Sequence, residues 1–204
     1  LEITCRSRER ASSEISSSAS ASPNMSPGSW PRLHSKGSTA MPGGIPAAIR
    51  ELTVKFHYND VASIRQLFAD YPSQIACLVM EAEASEPPAA DFLQQVQAEC
   101  RANGALLILD EIITGFRWHV GGAQTLYGIT PDLSTFGKAL GNGFSIAALI
   151  GRRDVMELGG LRHDRERVFL LSTTYGAETH SLAAALATMH VYETEPVIAH
   201  LLGQ

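Results

Sequence analysis

The chain has 204 residues, of which 45% are hydrophobic and 18% charged, and its formal net charge is -5 at pH 7. This composition is typical of a folded globular protein, and the acidic balance argues against a nucleic-acid-binding surface. No apolar stretch is long enough to span a membrane, and no His or Cys cluster has metal-ligand spacing. The three cysteines are an odd number without paired spacing, which argues against a disulfide framework. We therefore expect a cytoplasmic protein without a metal, with import into an organelle as the alternative.

The first 36 residues differ in composition from the rest. Residues 1–36 are rich in Ser and Arg and include a serine run from Ser12 to Pro23. Such a segment buries too little apolar surface to offset its chain entropy, so we predict disorder there and an ordered domain over 37–204. Arg and Ser are also enriched in organellar transit peptides, but these lack acidic residues, and this segment contains Glu2, Glu9 and Glu14.

Two apolar runs separated by a helical pattern predict a βαβ unit. Ile75 to Glu81 is the first run, and Ala105 to Leu109 is the second, followed directly by Asp110. Between them, a helix follows the Pro87-Pro88 pair and stops at Asn103-Gly104, with one apolar face made by Phe92, Leu93, Val96 and Cys100. Strands joined in this way are parallel, so Glu81 and Asp110 should lie at the same carboxyl edge of the sheet, where open α/β sheets bind ligands.

The remaining elements also alternate. Leu133 to Phe136 predicts a short strand that delivers Gly137 and Lys138 to a turn, and two further apolar runs are strand-like: Phe144 to Ile150 and Val168 to Ser172. Thr179 to Glu193 predicts a helix, from its alanine content and from the spacing of Leu182, Leu186 and Met189. The fold class is therefore α/β.

The first candidate motif is Leu106 to Glu111, an apolar strand ending in two acids. Such a strand resembles the magnesium-binding strand of a nucleotide hydrolase, which also requires a phosphate loop ending in Gly-Lys-Ser/Thr. The Gly137-Lys138 pair does not fit, because Asp132 occupies the position of the first loop glycine and Ala139 follows the lysine. The motif is therefore not that of an ATPase, and a strand whose acidic end meets solvent remains the alternative.

The second candidate motif surrounds Lys138. This lysine lies in an apolar segment with Gly137, Gly141 and Gly143, which permit tight turns and the close approach of a bulky group. A lysine in a partly dry site has its charged form disfavoured and becomes nucleophilic enough to form a Schiff base. The alternative is an exposed loop lysine beside helix-breaking glycines.

The third candidate motif is Ser172 to Thr179, directly before the long predicted helix. Hydroxyls and free backbone N–H groups at a helix start suit an anion such as phosphate. Ordinary N-capping by Ser or Thr is the alternative.

Taken together and in order, these segments resemble the class III aminotransferases, and in particular the glutamate-1-semialdehyde 2,1-aminomutase-like members. The resemblance rests on Leu106 to Arg117 (LLILDEIITGFR), Tyr127 to Gly143 (YGITPDLSTFGKALGNG) and Thr173 to Ala187 (TTYGAETHSLAAALA). Gly121 to Gln124 (GGAQ) and Gly151 to Glu157 (GRRDVME) add to it. It covers about residues 37–204 and implies the three-layer α/β/α large domain of a fold-type I transferase that depends on pyridoxal 5'-phosphate.

The resemblance also implies a role for individual residues. Lys138 matches the lysine that binds the cofactor covalently and later moves protons, and Asp110 matches the carboxylate that pairs with the pyridinium nitrogen. Ile112 matches the apolar residue on one ring face, and Thr174 matches a threonine that reaches the cofactor phosphate across a homodimer interface. Glu81 matches an acidic residue near the cofactor, although the segment after it departs from the family pattern. The implied substrates are an amine donor and a carbonyl acceptor.

Two parts of the family pattern have no counterpart in the sequence. Residues 1–36 contain neither the phosphate-cradling Gly-Thr loop nor the aromatic residue that stacks on the ring, and no smaller C-terminal domain follows the last predicted helix. We therefore expect a large domain that is incomplete at both ends. A catalytically inactive remnant that keeps the fold as a binding module is the alternative function.

Overall fold

The computed structural model describes residues 3–6, 44–83, 86–164, 176 and 178–203, and in these residues six strands form one sheet. The strands are β1 (Ile3–Arg6), β2 (Thr53–Val54), β3 (Ile75–Glu81), β4 (Leu106–Asp110), β5 (Leu133–Phe136) and β6 (Ala148–Gly151). The helices are α1 (Ala47–Arg50), α2 (Val61–Asp70), α3 (Phe92–Ala102), α4 (Ala123–Leu126), α5 (Arg153–Met156), α6 (Thr179–Thr194) and α7 (Val197–Leu202).

The sheet is mixed, with the order β2-β1-β3-β4-β5-β6. β3, β4 and β5 are parallel to one another, while β1, β2 and β6 pair antiparallel with their neighbours. The predicted βαβ unit is thus confirmed. Its register places Glu81 directly opposite Asp110.

One face of the sheet is covered by helices. α3 buries the predicted apolar face, and it packs with α2 over the inward side chains of β3 and β4; the shared core includes Phe92, Leu93, Val96, Cys100, Leu78, Met80, Leu107 and Leu109. Burial of each large apolar side chain contributes about 1.5–3 kcal/mol. The residues between these core positions, including Glu81 and Asp110, are only half-buried on the other face. The acids therefore lie on the more open side of the sheet.

α3 begins later than the prolines suggest. Its first residue is Phe92, and Asp91 precedes it without a side-chain capping hydrogen bond, whereas Pro87 and Pro88 lie in the irregular segment before the helix. The predicted stop is confirmed, because Asn103 ends the helix and Gly104 adopts a φ of +69° that glycine tolerates at no steric cost.

The strand predicted over Phe144 to Ile150 is shorter than expected. Only Ala148–Gly151 is extended, and it runs antiparallel to β5. The first part instead forms a turn in which Phe144 N–H donates to Gly141 O at 3.1 Å. An added Cβ at Gly141 would lie 2.5 Å from Phe144 O, so this close turn depends on glycine and delays the start of the strand.

The long helix is confirmed as α6, but its larger apolar residues do not enter the core. Leu182, Leu186 and Met189 are 44%, 67% and 37% exposed, while Ser181 and Ala185 are buried. Small side chains thus face inward, and they let α6 approach the turn that follows Lys138. The leucines form an exposed apolar stripe instead.

Some predictions fall outside the described residues. These are the strand at Val168 to Ser172, the helix-start motif with Thr174, and most of the segment predicted to be disordered. The structure describes a strand at Ile3–Arg6, where the sequence pattern indicates none. The boundary between 1–36 and 37–204 stays a prediction.

Candidate active site

Asp110 ends the central strand β4, and its neighbours on both sides also end there. In the parallel register, Asp110 stands opposite Glu81 on β3 and opposite Thr135 on β5. Residues opposite each other in parallel strands point to the same face, and adjacent strands are about 4.8 Å apart. The structure therefore brings Glu81 and Asp110 together at the carboxyl edge, as the sequence predicts.

The carboxylate of Asp110 is oriented through one of its oxygens. Its Oδ1 accepts hydrogen bonds from Ile112 N at 2.9 Å and from Thr135 Oγ1 at 3.1 Å. Within the described residues, Oδ2 has no hydrogen-bond donor. A carboxylate held on one oxygen and open on the other is suited to accept a hydrogen bond from a ligand.

Lys138 follows three residues after Thr135, the partner of Asp110 in the register. It begins a 3-10 turn, Lys138–Leu140, and its φ is +44°. The left-handed region costs a residue with a Cβ on the order of 1 kcal/mol or more, and such strain tends to occur at functional sites. Gly137 before it and Leu140 two residues after it are buried, whereas the Lys138 side chain is exposed and not partly dry as the sequence suggests.

Ile112 connects the two strand ends. It is half-buried, and an added Cβ at Gly137 would lie 3.6 Å from Ile112 Cγ2. The Ile112 side chain therefore packs beside the residue that precedes Lys138. Asp110, Ile112 and Lys138 therefore come from the ends of two adjacent strands.

A cavity of about 670 Å³ opens beside Lys138. It lies between the turn after β4, the turn that carries Lys138, and the helices α6 and α7; its lining includes Lys138, Ile113, Arg117, Trp118, Asn142 and Tyr192. Asp110 and Ile112 do not line it. The volume is in the range of small-molecule sites. Because Lys138 lines the cavity and also follows β5, it lies between the cavity and the carboxyl edge of the sheet.

Two of the predicted site residues have less support from the geometry. Glu81 is half-buried and has no hydrogen-bond partner within the described part of the chain. Thr174 lies outside the described residues, so its position stays a prediction. Asp110, Ile112 and Lys138 lie at or just after the ends of two adjacent strands, and their roles toward a cofactor stay predictions.

Sequence reasoning missed several polar residues that support this edge. Glu111 is fully buried, and the Tyr192 hydroxyl donates to Phe116 O across 76 residues of sequence. The Tyr127 hydroxyl donates to the Glu83 carboxylate. Partial burial, and to a smaller extent this hydrogen bond, raises the pKa of Tyr127 to about 12. These contacts are not local in sequence. Glu111, Phe116 and Tyr127 lie in segments that carry the family resemblance, but the resemblance does not indicate which partners they contact.

Other classes of site find no support in residues 3–6, 44–83, 86–164 and 178–203. No helix there combines the length and the apolar character needed to cross a bilayer. No group of three or more His, Cys, Asp or Glu side chains there could hold a metal ion.

Comparison with known proteins gives a consistent result. A family model described as aminotransferase class-III matches residues 24–201. An omega-transaminase from Sphaerobacter thermophilus is similar in structure, with 28% identity and a TM-score of 0.68 over 78% of this chain and 36% of that protein. A β-phenylalanine aminotransferase from Variovorax paradoxus has 30% identity and a TM-score of 0.63 over 72% of this chain and 34% of that protein.

A third similar structure is the FumI protein of Sphingopyxis sp. MTA144, solved in its PLP internal aldimine form. Its identity is 26% and its TM-score is 0.68, over 79% of this chain and 41% of that protein. The chain therefore spans well under half the length of each of these relatives.

Proposed function

The chain belongs to the class III aminotransferase family, and from this premise we propose that it acts in pyridoxal-phosphate-dependent transfer of an amino group from an amine donor to a carbonyl acceptor. The observation that carries the proposal is the juxtaposition of Asp110 and Lys138 at the ends of adjacent parallel strands. The donor carbon loses its amino group and a hydrogen and takes an oxygen from water to become a carbonyl. The acceptor carbon loses its carbonyl oxygen as water and gains the amino group and a hydrogen, so no net water is consumed.

The residues at the ends of β4 and β5 fit the ring of the cofactor. When bound, pyridoxal phosphate supplies an aldehyde that condenses with an amine with loss of water, and a ring that withdraws electrons from the reacting carbon. The open Oδ2 of Asp110 would accept the ring N–H, and the carboxylate's charge would favour the protonated nitrogen. The half-buried Ile112 would pack on one face of the ring.

Lys138 would anchor the cofactor and then act on protons. Its amine, when not bound to the cofactor, would take a proton from the donor carbon and return one to the acceptor carbon. Its exposed side chain on a strained turn beside the cavity suits a group that must move between these positions. Thr174 would reach the phosphate, and Glu81 would lie near the cofactor beside Asp110.

A second candidate is the intramolecular version, in which the donor and acceptor carbons belong to one molecule. The resemblance of Gly121 to Gln124 and of Gly151 to Glu157 to the glutamate-1-semialdehyde 2,1-aminomutases favours it. Product analysis separates the two reactions, because an aminomutase returns an isomer of its single substrate.

We also propose that the chain forms a homodimer. The exposed stripe of Leu182, Leu186 and Met189 on α6 supports it, since soluble proteins rarely leave such a stripe uncovered. Leu186→Glu should shift the mass measured by light scattering from twice the chain mass to the chain mass. A monomeric wild-type chain at micromolar concentration would contradict the proposal.

The test of the activity is an amino-transfer assay with saturating pyridoxal phosphate and a panel of amine donors and carbonyl acceptors. Asp110→Asn should slow turnover by roughly 100-fold or more, the scale seen when one preorganised charge-stabilising group is removed. Lys138→Ala should abolish turnover, and Lys55→Ala, an exposed lysine outside the site, should leave it unchanged. Absence of turnover in the wild-type chain would favour the inactive binding module.

A further inference from the structure

Glu111 is a fully buried acid directly after Asp110. Its carboxylate accepts hydrogen bonds from Ala123 N at 2.9 Å, from Gln124 N at 2.8 Å and from the Thr114 hydroxyl. A buried carboxylate is costly unless donors surround it, and this one has three. The three donors therefore stabilise the buried Glu111 carboxylate and fix its position.

The Glu111 carboxylate lies where the start of α4 meets β5. Ala123 and Gln124 begin α4, and the Gln124 side chain donates to Gly121 O and accepts from the Ser134 hydroxyl on β5. Ser134 immediately precedes Thr135, which bonds Asp110. One network of hydrogen bonds thus links the ends of β4 and β5 on the helix-covered face of the sheet.

Gly122 fits the Glu111 side chain closely. Its φ is +82°, and an added Cβ would lie 2.5 Å from Glu111 Cδ and 2.6 Å from Glu111 Oε2. The glycine therefore lets the loop wrap the carboxylate.

Glu111 and Asp110 point to opposite faces of the sheet. Glu111 continues the β4–β5 pairing, because its N–H donates to Thr135 O at 2.9 Å. Successive side chains along a strand alternate between the two faces of the sheet. Asp110 lies on the open face with Glu81, and Glu111 is held under α4. Fixing Glu111 on the covered face therefore fixes the twist of the backbone that presents Asp110 and Ile112 on the other.

We propose that Glu111 is a positioning residue that holds Asp110 and Ile112 in register with the turn that carries Lys138. This inference rests on the proposed function. Glu111 does not touch the reacting atoms; it acts through Asp110 and Ile112. Loosening it should change how the cofactor ring is held, beyond any loss of fold stability.

The test compares Glu111→Gln with Glu193→Gln, which makes the same chemical change at an exposed position on α6. Each chain is titrated with pyridoxal phosphate, and the visible absorption band of the bound cofactor is followed against pH. Lys138 labelling by borohydride and stability in urea are measured in parallel. Glu111→Gln should weaken cofactor binding roughly 10-fold or more, the scale seen when a hydrogen-bond partner behind a metal ligand is removed, and should move the pH midpoint of the band. Glu193→Gln should change neither.

Thr114→Val keeps the test decisive if Glu111→Gln does not fold, since it removes one donor to Glu111 and keeps the side-chain shape. It should move the same pH midpoint by a smaller amount. If Glu111→Gln folds, or failing that Thr114→Val, and the folded variant keeps the wild-type cofactor affinity and the wild-type pH midpoint of the absorption band, the inference is overturned. The proposed function would still stand. A wild-type chain that shows neither band nor label would overturn both.

Discussion

Replacing Asp132 by alanine should destabilise the strand ends that build the site. Asp132 precedes β5, and its Oδ2 accepts Leu107 N of β4 at 2.8 Å, while its Oδ1 accepts Arg152 Nη1 at 2.6 Å. Arg152 also binds Asp154. The Asp132 carboxylate therefore joins β4, β5 and the residue that follows β6.

The magnitude follows from the buried partner. Leu107 lies in the core, and its N–H would lose its acceptor, which costs about 1–3 kcal/mol for a buried donor. The ion pair with the exposed Arg152 adds little, because solvent screens it. For a chain of this size, the expected fall in Tm is roughly 2–12 °C.

The assay is urea unfolding of Asp132→Ala beside Asp154→Ala. Asp154 binds the same arginine, but its side chain is 66% exposed and it holds no buried N–H, so its removal should change the free energy of unfolding much less. Equal effects of the two substitutions would refute the reasoning. A double-mutant cycle with Arg152→Ala should show that most of the Asp132 effect persists without the arginine.

Three further predictions concern the core, the turn below the site and pH. Phe92→Ala should lower the free energy of unfolding in urea by about 3–5 kcal/mol, because the ring is buried edge-on against Tyr58, while the exposed Leu126→Ala should have little effect. Gly115→Ala should cost about 1–3 kcal/mol in the same assay, because its Cβ would lie 2.5 Å from the Phe136 ring and 2.8 Å from Glu111 O. Burial raises the pKa of the Cys100 thiol from 9.0 to about 12, so the unfolded chain releases this proton first. Stability should therefore fall as pH rises from about 9 towards 12, and Cys100→Ala should show a shallower fall.

The sequence predicts the parts of this site that depend on neighbours along the chain. Two apolar runs around a helical pattern are enough to infer parallel strands, and the strand ends then place Glu81 beside Asp110. The Gly-rich turn at Lys138 is likewise readable, because glycine content and a preceding short apolar run are local signals.

Contacts between distant segments were not readable. Glu111 looks like a second solvent-facing acid until α4 is placed over it, and the hydrogen bond from Tyr192 to Phe116 O joins residues 76 positions apart. The sequence also does not indicate which face of α6 points towards the core. Hydrophobic spacing favours its leucines, but it is the small Ala185 that packs in the buried cluster with Phe116, Phe136 and Leu140.

The central claim is that Lys138 anchors pyridoxal phosphate. Borohydride reduction of the chain with the cofactor, followed by peptide mapping, should place a pyridoxyl group on Lys138 and leave Lys36 and Lys55 largely unmodified. Asp110→Asn should reduce the labelled fraction, because the ring would lose the carboxylate that holds its nitrogen. A label mainly on Lys36 or Lys55, or no label above that of free lysine under the same conditions, would contradict the account.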